Sequence, residues 1–87
     1  MAILLITYKL THPEIDNNDL VESIQEFSHT RLTDTSWLIE TKISPEHVYE
    51  ELRTFLYSND SLYVFELKKK WKGRGENEVV DWVAKRL

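Results

Sequence analysis

Three short segments of this chain are rich in aliphatic and aromatic residues, and they constrain its fold more than any other feature. They are residues 2–10, 36–42 and 62–67. Successive side chains of a β-strand point to opposite faces of the sheet, so Ile3 and Leu5 lie on one face and Leu4 and Ile6 on the other. Because both faces would be apolar, both must be covered by another layer. The sequence therefore predicts strands at the centre of a layered domain.

Amphipathic helices separate these strands. Asn17 or Asn18 can cap a first helix, and its apolar stripe is Leu20, Val21, Ile24 and Phe27. A second helix begins at Ser44, with Pro45 at the first helical position and Glu46 in the first turn. This helix is expected to bury Val48, Leu52, Phe55 and Leu56 and to stop near residues 58–60.

Two weaker elements complete the chain. Residues 28–35 are polar and β-branched, which predicts a short second strand that lies at a sheet edge. Residues 77–87 predict a C-terminal helix with Val79, Val83 and Leu87 on one side.

The resulting order is βαββαβ followed by a helix, within one domain that spans residues 1–87. This order is typical of the α+β, ferredoxin-like sandwich. Two right-handed crossovers would place both main helices on one face of a four-stranded sheet, with the first and third strands in its middle.

The second sheet face predicts an oligomer. The C-terminal helix is long enough to cover part of that face, and we expect a second copy of the chain to cover the rest through an isologous interface. Tyr8, Trp37 and Phe65 are the candidate interface residues. The alternative is a monomer whose C-terminal helix covers the face completely.

Composition excludes several classes of function. The chain has no cysteine, which excludes disulfides and thiolate metal sites, and no cofactor is expected. Its net charge of −4 disfavours non-specific nucleic-acid binding by the whole surface. The apolar N-terminal run is too short to span a bilayer, so a cytoplasmic location without membrane contact is expected.

Residues 68–74 are unusually basic for an acidic chain. The segment contains Lys68, Lys69, Lys70, Lys72 and Arg74 around Trp71. Cations neutralise phosphates and an indole can stack on a base, so the segment is a candidate contact for nucleic acid or for an acidic protein. The alternative is a solvated strand end with Trp71 beneath the C-terminal helix.

Candidate catalytic residues are sparse. His12, Glu14 and Asp16 alternate in the first loop and could form a hard-metal or acid–base site, but a polar loop of this kind is usually only solvated. Asp34 is either a general base or a turn cap, and Asp60 is typical of a turn. The remaining candidates, His29 and His47, have no partner at a recognisable spacing. Nothing in the pattern favours catalysis.

Three segments carry a family resemblance. They are Ile3-Leu4-Leu5-Ile6-Thr7-Tyr8, Leu32-Thr33-Asp34-Thr35-Ser36-Trp37-Leu38-Ile39 and Asn59-Asp60-Ser61-Leu62-Tyr63-Val64-Phe65-Glu66-Leu67. Over residues 2–67 the chain resembles the small bacterial and phage proteins of the SinR family. Those proteins are similar in fold to the small CRISPR-associated adaptor and endoribonuclease proteins and to virulence-associated ribonuclease toxins.

The resemblance implies a homodimer of ferredoxin-like subunits. In the nuclease members, it implies that an aspartate at the end of the first strand holds a divalent metal at the dimer axis. This chain has Lys9 there, and an ammonium group cannot ligate a cation. We therefore predict a dimeric, non-catalytic interaction module that contacts a protein or nucleic acid. The alternative is a metal-dependent endoribonuclease of the same fold, and a small-ligand regulatory domain ranks last.

Overall fold

The computed structural model describes residues 1–12 and 17–87. The elements follow the predicted order, with a 3₁₀ turn at Arg53–Phe55 after the second helix. The strands are β1 (Ala2–Lys9), β2 (Ser28–Thr33), β3 (Ser36–Thr41) and β4 (Ser61–Leu67). The helices are α1 (Asn18–Gln25), α2 (Pro45–Leu52) and α3 (Asn77–Arg86). None of these helices is both long and apolar enough to cross a membrane.

The four strands form one antiparallel sheet in the order β2-β3-β1-β4. The predicted ferredoxin-like α+β class is confirmed, with β1 and β3 in the middle. The register places Leu5 between Leu38 of β3 and Phe65 of β4. These three side chains therefore lie on the same face, because directly paired residues of neighbouring strands share a side of the sheet.

One sheet face packs against α1 and α2 and carries the main core. Its buried members are Leu4, Ile6, Tyr8, Leu20, Ile24, Trp37, Ile39, Val48 and Leu52. Within this layer the indole Nε1 of Trp37 donates a hydrogen bond of 3.3 Å to the Tyr8 hydroxyl. That bond satisfies a donor that would otherwise be costly to bury.

The other sheet face packs against α3. Ile3, Leu38 and Val83 form a second buried cluster, with Leu5, Leu67, Trp82 and Leu87 packed around it. The C-terminal helix therefore folds back over the sheet, as one part of the sequence prediction required. It buries the centre of the face and leaves the β4 side of the face less covered.

Local details both confirm and correct the predicted boundaries. Ser44 Oγ accepts a hydrogen bond of 3.2 Å from the N–H of His47, which confirms the cap of α2. Asn17 is the N-cap residue of α1, but its side chain makes no capping hydrogen bond. The expected burial of Phe55 is wrong, because α2 ends at Leu52 and the tighter 3₁₀ turn carries Phe55 to an exposed position.

Candidate interaction surface

The basic segment, residues 68–74, links β4 to α3 without helix or strand structure. All of its residues are exposed, and they hold five of the chain's eleven lysines and arginines. Lys68 Nζ lies 3.7 Å from Glu66 Oε2, with most of the lysine side chain in solvent. An exposed pair of this kind contributes little to stability, so the segment presents concentrated positive charge to the solvent.

The indole of Trp71 is partly exposed to solvent. It is 40% exposed, and it lines a groove beneath the basic segment. A Cβ at Gly73 would lie 3.7 Å from the indole, so the segment turns closely around this ring. Trp71 is not part of the cluster buried beneath α3, and its exposed portion is accessible to a partner.

Two aromatic side chains stand exposed on β4. Tyr63 is 56% exposed and Phe65 is 51% exposed. Their rings are stacked, with centroids 6.3 Å apart and planes at 14°. They lie two residues apart on an edge strand, on the sheet face that α3 covers incompletely. A stacked, half-exposed aromatic pair at a sheet edge is typical of a contact surface.

The groove lies between the basic segment, α3 and the sheet, and has a volume of about 220 Å³. Its floor and walls are mostly aliphatic. They include Leu5, Leu32, Leu38, Leu67, Val79, Val80, Val83 and Leu87. Lys72 and Arg74 also line it, and none of the described residues in its lining is an aspartate or a glutamate.

Arg86 fixes the last turn of α3 against the sheet. Its guanidinium lies 4.1 Å from the Trp82 ring centroid and its Nε lies 3.3 Å from Glu40 Oε1 of β3. Both members of the ion pair are partly buried, and the stacked guanidinium is a geometry that arginine favours. This contact holds the wall of the groove in place.

The predicted interface residues do not share a face, which corrects the sequence-based grouping. Tyr8 is 4% exposed and Trp37 is 1% exposed, because both lie in the core under α1 and α2. Phe65 points to the opposite face, beside Leu5. Tyr8 and Trp37 therefore cannot reach a partner in this fold, whereas Phe65 can. Sequence reasoning missed Tyr63, although its i, i+2 spacing from Phe65 was a signal for a shared face.

The end of β1 forms a braced corner. Asp60 Oδ1 accepts hydrogen bonds from the N–H and the hydroxyl of Thr11, at 2.8 and 2.9 Å. Its Oδ2 accepts a hydrogen bond of 2.9 Å from the N–H of Tyr57. These donors, with a smaller contribution from His12, lower the pKa of Asp60. Asp60 thus stabilises the loop by linking the end of β1 to the turn before β4. Lys9, which pairs with Ser61, is exposed.

The other candidate residues have structural partners. His29 bonds through Nδ1 to the carbonyl oxygen of Phe27 and contacts the edge of Trp37. His47 Nε2 lies 3.3 Å from Glu51 Oε1 on the surface of α2. Asp34 lies in the turn between β2 and β3, where its carbonyl oxygen accepts a 2.8 Å bond from Arg31.

His12, Glu14 and Asp16 are the residues that the sequence offers as a candidate metal or acid–base site, with a solvated loop as the alternative. Glu14 and Asp16 lie outside the described residues. Within residues 1–12 and 17–87, no three histidine or acidic side chains are grouped closely enough to hold a metal ion.

The surface thus combines charge, exposed aromatic rings and an apolar recess on the α3 side of the sheet. This arrangement can bind and position a partner. No protein-family model matches the chain, and no curated protein matches it in sequence.

Proposed function

We propose that the chain acts in the cytosol as a homodimeric, non-catalytic interaction module that binds a polyanionic partner. One observation carries the proposal: α3 covers the second sheet face only in part, and leaves Tyr63 and Phe65 half exposed on β4, the strand that leads into the basic segment. The resemblance of residues 2–67 to the SinR family also supports a dimeric interaction module. The proposal therefore includes a relationship between this chain and that family.

The dimer accounts for the exposed aromatic pair. Phe65 follows the row of Leu38 and Leu5 across the sheet, so an apolar surface continues to the open edge at β4. A two-fold axis near this edge would place the pairs from both subunits against each other. Burial of aromatic rings is a strong source of association energy.

The charge of the basic segment indicates the chemical class of the partner. Like charges at this density repel one another, by a few tenths of a kcal/mol per close pair. A polyanion would remove that repulsion, while the acidic remainder of the chain would limit its contact to the segment. Nucleic acid and an acidic protein surface both fit this charge, and the salt dependence of binding distinguishes them.

The test is fluorescence anisotropy with labelled single-stranded and duplex RNA and DNA at increasing salt. With five phosphate contacts in each subunit, the logarithm of affinity should fall with log salt at a slope of about −0.9 per contact on duplex DNA. The Lys69→Ala/Lys70→Ala/Lys72→Ala variant should flatten that slope. A matched variant at Lys9, Lys42 and Lys85 removes the same charge from other exposed sites and should leave it unchanged.

Two results would change the proposal. No binding to any nucleic acid at low salt would leave an acidic protein as the partner class. Mg²⁺-dependent cleavage of RNA by the pure protein, abolished by a chelator, would establish the endoribonuclease alternative despite Lys9.

A further inference from the structure

The groove under the basic segment has a composition that the proposed module does not require. A surface that only neutralises phosphates needs exposed cations, and these are supplied by the segment itself. The groove instead is a recess between three parts of the chain, with a floor formed by Leu5 and Leu38 and a wall formed by α3. Its volume of about 220 Å³ exceeds the roughly 150 Å³ of a cavity that accepts benzene in another protein.

The residues that line the groove indicate which chemical class of ligand it would bind. A nucleobase carries donors and acceptors around its edge, and an aliphatic wall would leave them unpaired, which is costly. An alkyl or aryl group suits the wall because it releases apolar surface from water. Lys72 and Arg74 are the lining residues with charged side chains, and a carboxylate or similar anion complements these two cations.

We propose that this groove is a binding site for a small amphipathic carboxylate. Its alkyl chain lies among Leu5, Leu38 and Val83, and its carboxylate lies between Lys72 and Arg74. The site gives the chain a small-ligand function in addition to the proposed contact with a macromolecule. It also places the ligand against Trp71 and the basic segment.

Calorimetric titration with hexanoate, octanoate and decanoate, kept below micelle-forming concentrations, tests the proposal on the full chain. Binding should be saturable, and each methylene added from hexanoate to octanoate should raise affinity about fourfold. The neutral analogue 1-octanol should bind severalfold more weakly than octanoate. Absence of saturable binding at millimolar octanoate, or equal affinity for hexanoate and octanoate, would overturn the proposal.

A pair of matched variants locates the carboxylate. Lys72→Ala/Arg74→Ala should lower octanoate affinity to that of 1-octanol. Lys69→Ala/Lys70→Ala removes the same charge from the same segment, but neither lysine lines the groove, so octanoate affinity should stay within twofold. An equal loss in both variants would show a non-specific charge effect and would refute the site.

Methyl NMR on the unmodified chain gives a readout that does not depend on any variant folding. Octanoate should shift the methyl signals of Leu38 and Val83 on the α3 side of the sheet. The methyls of Val48 and Leu52, which are buried in the opposite core, should not move. Shifts in both cores, or shifts in the groove produced by an oligonucleotide and not by octanoate, would contradict the proposal.

Discussion

Phe65→Glu should dissociate the proposed dimer while each subunit stays folded. A fully buried aromatic side chain removes about 150–250 Å² from water, so a half-exposed ring retains about 100 Å² to bury in an interface. At about 25 cal/mol/Å² this area is worth about 2.5 kcal/mol per copy. A two-fold interface loses it twice, which amounts to about 5 kcal/mol, or at least a thousandfold in dissociation constant.

The assay is sedimentation velocity over a wide range of protein concentrations, with thermal unfolding of the same samples. The wild-type chain should sediment as a dimer at micromolar concentration, and the Phe65→Glu variant as a folded monomer. Tyr57→Glu is the matched control, because Tyr57 is also an exposed aromatic residue but lies in the connection between the 3₁₀ turn and β4. It should remain a dimer.

Tyr8→Glu should behave differently from Phe65→Glu, since Tyr8 is buried beneath α1 and α2. A carboxylate there has no ionic partner in the described core, so the variant should lose cooperative unfolding. The reasoning is refuted if the wild-type chain is a monomer at several hundred micromolar. It is also refuted if Phe65→Glu associates as tightly as the wild type.

Three further predictions concern the fold that holds this surface. Leu52→Ala should lower the free energy of unfolding by about 2–5 kcal/mol in urea, because Leu52 is fully buried; a loss below 1 kcal/mol would contradict the packing. Ser44→Ala should cost about 1 kcal/mol, measured as a decrease in melting temperature of about 4–8 °C, through loss of the cap on α2; an unchanged melting temperature would count against the cap. The lowered pKa of Asp60, caused by bonds from Thr11 and Tyr57, means that its stabilisation is present above pH 4 and is lost as pH falls through the folded pKa. Asp60→Asn should therefore reduce the loss of stability between pH 5 and 2 in urea titrations, and an identical pH profile would refute the brace.

The predicted order of elements was confirmed because its signals are local. A serine cap followed by proline marks the start of a helix, and α2 begins directly after Ser44. A short run of branched and aromatic residues identifies a strand without knowledge of its neighbours, which is why β1, β3 and β4 were predictable. The end of α2 was harder to predict from sequence. The helix tightens there into a 3₁₀ turn through packing that the local sequence does not encode.

The candidate surface was only partly predictable. The cations of residues 68–74 were visible in the sequence, because charge density needs no structure to be recognised. The groove could not be recognised in the sequence, because its lining joins residues as distant in the chain as Leu5 and Leu87. Such a recess exists only once α3 has packed across the sheet.

The sequence by itself determined which segments are strands and helices, and that both faces of the sheet are apolar. Only the tertiary structure decided which face each apolar residue occupies. Tyr8 and Phe65 look equivalent as aromatic residues in strands, yet the register buries one under α1 and α2 and leaves the other beside Leu5 at an open edge. The physical reason is the two-residue period of a strand: a shift of one position in pairing moves every side chain to the opposite face.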